Sequence, residues 1–291
     1  LSRPIYIIGI IESLASKAFS DLGFLPYLKL EPPPGALISY ATVLKSQRVK
    51  EAIMPLFKRI KDKGGIAMLD SGAFSAYSRG LKISITDYIS FIREVKDCLT
   101  CAVCLDVIGD AEATAFNYKI MLDSGIADEV YILPVYHAGS SISNLKELAV
   151  DVDWIGVGGV ARLQTRYRLN LFRQIAVAVP DKSLHFFGVS DPKLISAYWP
   201  YSFDSSQWSL LAAMGQVWMS TNRRVSLTRH LKTYLADGLV EQVEEFASEY
   251  GLTLKMLVDS REARHLFNYM ESLKLFELIK RKTAIKRQSV F

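Results

Sequence analysis

Met68-Leu69-Asp70-Ser71-Gly72-Ala73-Phe74 is the stretch on which the reading of the fold turns. The apolar run Ile66 to Leu69 ends on an acid, and a serine, a glycine and an aromatic follow at once. A buried strand looks like this where it stops at a working surface. The pattern recurs along the chain. Cys101-Ala102-Val103-Cys104-Leu105 ends on Asp106, Tyr131 to Val135 ends near His137, and Tyr201-Ser202-Phe203 ends on Asp204. Three carboxylates closing three apolar runs suggest one site assembled from several strands.

Working outward, strand-like runs fall at Pro4–Ile10, Ala36–Tyr40, Ile66–Leu69, Cys101–Leu105, Tyr131–Val135, Trp154–Val157, Leu184–Phe187 and Tyr201–Phe203. Helical patterns separate them. Residues 45 to 63 carry Val49, Ile53, Leu56, Phe57 and Ile60 at helical spacing, and Gly64-Gly65 ends that segment. Thr86 reads as the cap of the next helix, and Ser190-Asp191-Pro192 as the opening of a later one. A further helix is predicted from about Ser13 to Leu22. Eight runs alternating with helices predict an α/β fold, an eight-stranded parallel TIM-type barrel. An open doubly wound sheet is the alternative, but no Gly-x-Gly-x-x-Gly follows the first strand. After Asp204 the alternation stops, and residues 228–249 and 259–281 read as helices. This predicts a catalytic domain over 1–210 and a helical, basic C-terminal extension over 211–291 packed on the barrel.

The 291 residues are 50% hydrophobic and 22% charged, enough apolar material for a full core and too little charge for bulk disorder. The balance of 35 basic to 30 acidic residues, a formal +5, is a mild pointer to a polyanionic partner. Three cysteines, Cys98, Cys101 and Cys104, form no disulfide framework and suit a reducing compartment. The early apolar run Ile5 to Ile11 is too short to span a membrane and carries no signal-peptide cleavage pattern, so a cytoplasmic protein is expected.

In a barrel, function gathers at the carboxyl ends of the strands, where Asp70, Asp106 and Asp204 would all sit. A lone Asp after a strand is usually a turn former or helix cap. Three together suit a nucleophile, a proton shuttle and a substrate anchor. Acid pairs do such work on glycosidic bonds. Phe74 and Phe187 would clamp a flat heterocycle, against the plainer reading of core packing. Gly158-Gly159 would let a ligand edge approach bare backbone amides, or simply make a tight turn. His137 alone is more often a structural histidine. The Cys-x-x-Cys-x-x-Cys spacing invites a metal, but no fourth ligand follows and two of the thiols fall in a predicted strand, so no metal site is expected. Arg223-Arg224, Arg229-His230 and Lys232, with the tail Lys280-Arg281-Lys282 and Lys286-Arg287, would line a phosphate backbone or form an ordinary solvated surface.

In this order the motifs resemble the tRNA-guanine transglycosylase superfamily. Asp70-Ser71-Gly72-Ala73-Phe74 is similar to its general acid/base motif with stacking aromatic, Ala73 replacing a second glycine. Leu105-Asp106-Val107 matches its base-recognising aspartate, Val157-Gly158-Gly159-Val160-Ala161 its base-edge segment, and Phe187-Gly188-Val189-Ser190 its second stacking position. Ser202-Phe203-Asp204 matches its nucleophile. The resemblance covers about residues 60–210. The family's C-terminal zinc cysteines are absent, since no cysteine follows Cys104. Nor is its glutamine found after the fifth strand, where His137-Ala138 lies. Ser205-Ser206-Gln207-Trp208 replaces its Pro-Thr-Arg. The flanks of Asp70 and Asp204 look closer to the shorter 7-deazaguanine DNA transglycosylase branch of phages and bacterial DNA-modification islands.

The resemblance implies a transferase that exchanges guanine in DNA for a free 7-deazaguanine base, without metal or redox cofactor. Asp204 would attack the sugar, Asp70 would manage the base proton, and Asp106, Ser71, Phe74, Phe187, His137 and the Gly158-Gly159-Val160 backbone would hold the base. Arg223, Arg224, Arg229 and Lys232 would bind the nucleic acid. The rivals are the same exchange on tRNA, an unrelated TIM-barrel lyase or hydrolase acting on a small phosphorylated substrate, and a non-catalytic nucleic-acid binder.

Overall fold

The computed structural model describes residues 5–9, 33–44, 46–80, 82–160, 163–227 and 238–288. The helix expected over 13–22, together with Arg229, His230 and Lys232, lies outside these described residues. Two compact units divide at Ser205/Ser206.

The first unit alternates parallel strands and helices. Its strands are β1 (Ile5–Gly9), β2 (Gly35–Ser39), β3 (Ile66–Asp70), β4 (Cys101–Val103), β5 (Tyr131–Leu133), β6 (Val135–His137), β7 (Trp154–Gly158), β8 (Ser183–Phe186) and β9 (Ser202–Ser205). Its helices are α1 (Tyr40–Val43), α2 (Gln47–Asp62), α3 (Ala73–Arg79), α4 (Ile85–Val95), α5 (Ala111–Asp123), α6 (Ile142–Asp151), α7 (Thr165–Ala178) and α8 (Pro192–Tyr198).

The single eight-stranded barrel expected from the sequence is not what the hydrogen bonds build. Nine strands form a ladder in the order β5-β4-β3-β2-β1-β9-β8-β7-β6. It comprises a parallel wing of five strands and a parallel wing of four, which meet where β1 pairs with β9. The extra strand has a plain cause. The run Tyr131 to Val135, expected to be one strand, is cut by Pro134, which has no N–H to give a ladder. β5 pairs with β4 and β6 with β7, so the ladder is open there. Its two ends are linked by the chain at Pro134 and by Tyr131 of β5, whose hydroxyl donates to the Trp154 carbonyl of β7 at 2.8 Å and whose ring stacks on the indole.

Most strand residues of this unit are buried, as in parallel strands covered by helices. Ile66, Ala67, Met68 and Leu69 of β3 all lie in the core. The helices start where short polar side chains satisfy free amides. Ser46 caps α2, Asp110 caps α5 and Ser141 caps α6. Ser84, not Thr86, caps α4, its hydroxyl accepting the Asp87 N–H. Asp191 caps α8 ahead of Pro192, as the sequence predicts.

The second unit holds α9 (Gln207–Ala213), an antiparallel hairpin of β10 (Gln216–Trp218) and β11 (Arg224–Ser226), and helices α10 (Leu239–Ser248), α11 (Leu254–Asp259) and α12 (Arg261–Gln288). Val217, Met219, Val225 and Leu227 of the hairpin region share a core with Val243, Ala247, Leu257 and Phe267. Asn268 ties these pieces together. Its side-chain amide donates to the carbonyls of Trp208 and Gln216 at 3.0 and 3.1 Å, and its oxygen accepts the Trp218 N–H at 2.7 Å. Among the described residues no helix is long and apolar enough to cross a membrane.

Asn268 is fully buried, so removing its side chain leaves those backbone groups without partners. Asn268→Ala is expected to lower stability by about 2–4 kcal/mol in urea denaturation. A loss within ~0.5 kcal/mol, the size typical of a surface change, would show that the three bonds do not hold the unit.

Candidate functional site

The parallel strands send their carboxyl ends to one edge, and ligand sites in α/β proteins form at such an edge. Asp70 is the last residue of β3. The chain turns immediately after it, with Gly72 at φ +82°, a left-handed conformation that glycine adopts without strain. A Cβ at Gly72 would lie 2.8 Å from the Ala41 Cβ, so space also demands glycine. The turn aims two amides at side chains. The Gly72 N–H donates to Asp70 Oδ2 at 3.0 Å, and the Ala73 N–H to Ser71 Oγ at 3.2 Å.

Ser71 is fully buried and donates its hydroxyl to Asp106 Oδ1 at 2.6 Å. Asp106 follows β4, and its other oxygen lies 3.2 Å from His137 Nε2 at the end of β6. The structure therefore brings Asp70, Ser71, Asp106 and His137 into one cluster. Beneath it, Tyr88 on α4 donates its hydroxyl to the Val103 carbonyl at 2.8 Å, with the Leu69 carbonyl at 3.4 Å. The sequence presents Tyr88 only as part of an apolar helix face, yet its hydroxyl meets carbonyls of β3 and β4.

Asp204 lies on β9. Its Oδ1 accepts the Gly188 N–H at 2.8 Å and sits 3.4 Å from Nε2 of His185 on β8. The other ring nitrogen of His185 is 2.9 Å from Ser202 Oγ. Sequence reasoning missed His185 and Ser202. The available signal was a titratable residue inside the apolar run Leu184-His185-Phe186.

Phe187 lies one residue beyond β8, half-buried, with its ring edge-on to His185 at 4.3 Å between centroids. It rests over Gly156 of β7, where a Cβ would come within 2.5 Å of the ring. Gly156, which carries no signal in the sequence, is the glycine that makes room for this aromatic. Phe74 is exposed on the first turn of α3. Gly158 ends β7 and is close-packed against Val135 and His137, Gly159 follows at φ +74°, and Val160 is buried. The Gly158 carbonyl accepts the Ala138 N–H at 3.0 Å.

Burial pushes the Asp70 carboxyl from its ordinary 3.8 up to about 7. Repulsion from Asp106 and Asp204 adds to this, while the Gly72 amide and the Ser39 hydroxyl offset part of it. A carboxyl poised there can both give and take a proton near neutral pH.

Cys101 and Cys104 are buried free thiols, and burial pushes both pKa values up. Cys104 lies just past the end of β4, not within it. Among the described residues no cluster of His, Cys, Asp or Glu has the arrangement to hold a metal ion. In the second unit, Arg223 is exposed and the Arg224 guanidinium lies 5.8 Å from the Trp218 ring centre. The sequence matches no protein-family model, and comparison with curated proteins finds no similar sequence.

The raised Asp70 has a consequence for stability. The folded state keeps its proton up to about pH 7, whereas the unfolded chain releases it near 3.8. The folded state thus binds the extra proton, and the stability this supplies is lost as pH rises through 7. Asp70→Asn is neutral at every pH. It is expected to match the wild type near pH ~4 and to exceed it near pH ~8 by up to about 4 kcal/mol in urea denaturation. A variant less stable than wild type near pH ~8 would contradict the proton-holding carboxyl.

Proposed function

We propose that this chain exchanges a guanine base in DNA for a free 7-deazaguanine base through a covalent aspartyl–sugar intermediate. The observation that carries the reading is the cluster of Asp70, Asp106 and Asp204, in which burial and the two neighbouring carboxylates push the Asp70 carboxyl up to about 7. The ordered motifs around these residues support the same reading.

The target guanine leaves its stack, at an unstacking cost of a few kcal/mol, and enters the pocket. Asp106, braced by the Ser71 hydroxyl and facing His137, accepts hydrogen bonds from the amide and amine edge of the base. Phe187, seated on Gly156, offers a flat face to it. A carboxylate oxygen of Asp204 attacks C1′ of the sugar, the bond from C1′ to N9 breaks, and guanine departs with the electron pair on N9. Neutral Asp70 donates the proton that guanine needs. The free deazaguanine then enters, its N9–H proton passes to the Asp70 carboxylate, and its N9 attacks C1′. The ester bond breaks and the Asp204 carboxylate is restored, so atoms and charge balance over the cycle.

Asp204→Asn is expected to abolish both the protein–DNA adduct on a denaturing gel and the release of labelled guanine, since an amide attacks far less well than a carboxylate. Asp70→Asn is expected to lower completed exchange by about 10²–10⁴-fold, the usual worth of a general acid–base group. Wild-type exchange in Asp204→Asn would remove the nucleophile and the reading with it.

Arg223 and Arg224 are proposed to bind the phosphate backbone. Replacing both with Gln is expected to flatten the log–log salt dependence of duplex binding by up to roughly 1.8, about 0.9 for each phosphate that is no longer neutralised. An unchanged slope and affinity would put the binding surface elsewhere.

A further inference from the structure

We infer that His185 is a positioning residue for Asp204, holding one carboxylate oxygen so that the other is the attacking atom. The inference rests on the base-exchange reading above.

His185 is fully buried. Among the described residues, Ser202 and Asp204 of β9 approach its ring, Phe187 meets the ring edge-on, and Gly156 is its register partner on β7. The ring nitrogens have different tasks. Nδ1 is 2.9 Å from Ser202 Oγ, and a hydroxyl can donate or accept there. Nε2 is 3.4 Å from Asp204 Oδ1 and makes no well-aligned hydrogen bond. Were Nε2 unprotonated, its lone pair would face the oxygen lone pairs at that distance and repel them. The arrangement that satisfies both ends has Ser202 donating to Nδ1 and the proton on Nε2, directed at Asp204. A protonated ring also directs Nε2–H at Asp204.

Oδ1 therefore faces two donors, the Gly188 N–H and the His185 Nε2–H. Donors withdraw electron density from the oxygen they touch, so the attack falls to Oδ2. In the ester, Oδ1 is the carbonyl oxygen and keeps both donors. When the incoming base breaks the bond from C1′ to Oδ2, the returning charge spreads onto an oxygen already supported.

The test uses the side chains that imitate each ring nitrogen. Gln reaches the Nε2 position and keeps a donor toward Asp204, whereas Asn reaches only the Nδ1 position. The full-length protein is mixed with a guanine-containing oligonucleotide, and adduct formation is timed on denaturing gels over a range of oligonucleotide concentrations. His185→Gln is expected to keep the saturating rate within about threefold, and His185→Asn to lose about tenfold or more with half-saturation unchanged within about twofold. Ser202→Ala leaves the imidazole in place and removes the hydroxyl that orders it, so it is expected to slow the same step even if the Asn variant does not fold. Equal losses in Gln and Asn, or wild-type rates in Asn and in Ser202→Ala, overturn the inference. If the wild type forms an adduct that Asp204→Asn abolishes while the His185 series stays flat, only this inference falls. If the wild type forms none, the base-exchange reading falls and takes this with it.

Discussion

Carboxyl groups crowded at the ends of buried strands repel one another, and the rest of the site is arranged around that repulsion. Burial drives the Asp70 carboxyl up to about 7, and the fields of Asp106 and Asp204 add to it. Each receives a directed donor, from the Gly72 amide, the Ser71 hydroxyl and the Gly188 amide respectively. Asp106 and Asp204 also face imidazole nitrogens at 3.2 and 3.4 Å. Asp70, desolvated by burial and repelled by its neighbours, yields by holding its proton. Such an arrangement costs folding free energy above neutral pH.

Glycines make the arrangement sterically possible. Gly72 reverses the chain at φ +82° where a Cβ would strike Ala41, and it presents its amide to Asp70. Gly156 clears the space that the Phe187 ring fills. Both are backbone solutions to side-chain placement.

Much of this was legible in the sequence, and the failures have specific causes. A strand that ends on an acid is a local pattern, so Asp70, Asp106 and Asp204 could be found without knowing which strands pair. The count of eight strands fails at Pro134, whose missing N–H divides an otherwise continuous apolar run. The hairpin β10–β11 was missed because its short strands, Gln216–Trp218 and Arg224–Ser226, mix polar with apolar residues and form no apolar run like those around β4 and β5. His185 was hidden inside an apolar run, where its neighbours made it look like core. Its polar neighbours Ser202 and Asp204 lie 17 and 19 positions further along the chain and are brought beside it by strand pairing. Tyr88 was hidden likewise, since helical spacing reports a buried ring and says nothing of where the hydroxyl ends.

The register between β8, β9 and β1 is what brings these residues together. His185 is paired with Ser202 and Phe186 with Phe203, while Tyr6 and Ile7 of β1 oppose Phe203 and Asp204. Side chains alternate along a strand, so Ser202 and Asp204 lie on one face and Phe203 on the other. A slip of one residue would turn Asp204 to the opposite face and bring Phe203 to the imidazole. The opposite face resists that slip. Phe203 is buried and stacks on Tyr6 at 5.3 Å between centroids, and the Tyr6 hydroxyl donates to the Ser205 carbonyl at 3.3 Å. Moving the strand would break both interactions and bury a carboxylate against an aromatic ring. The apolar face of β9 thus holds its polar face in position, and the pairing of Asp204 with His185 follows from packing several ångströms away from either group.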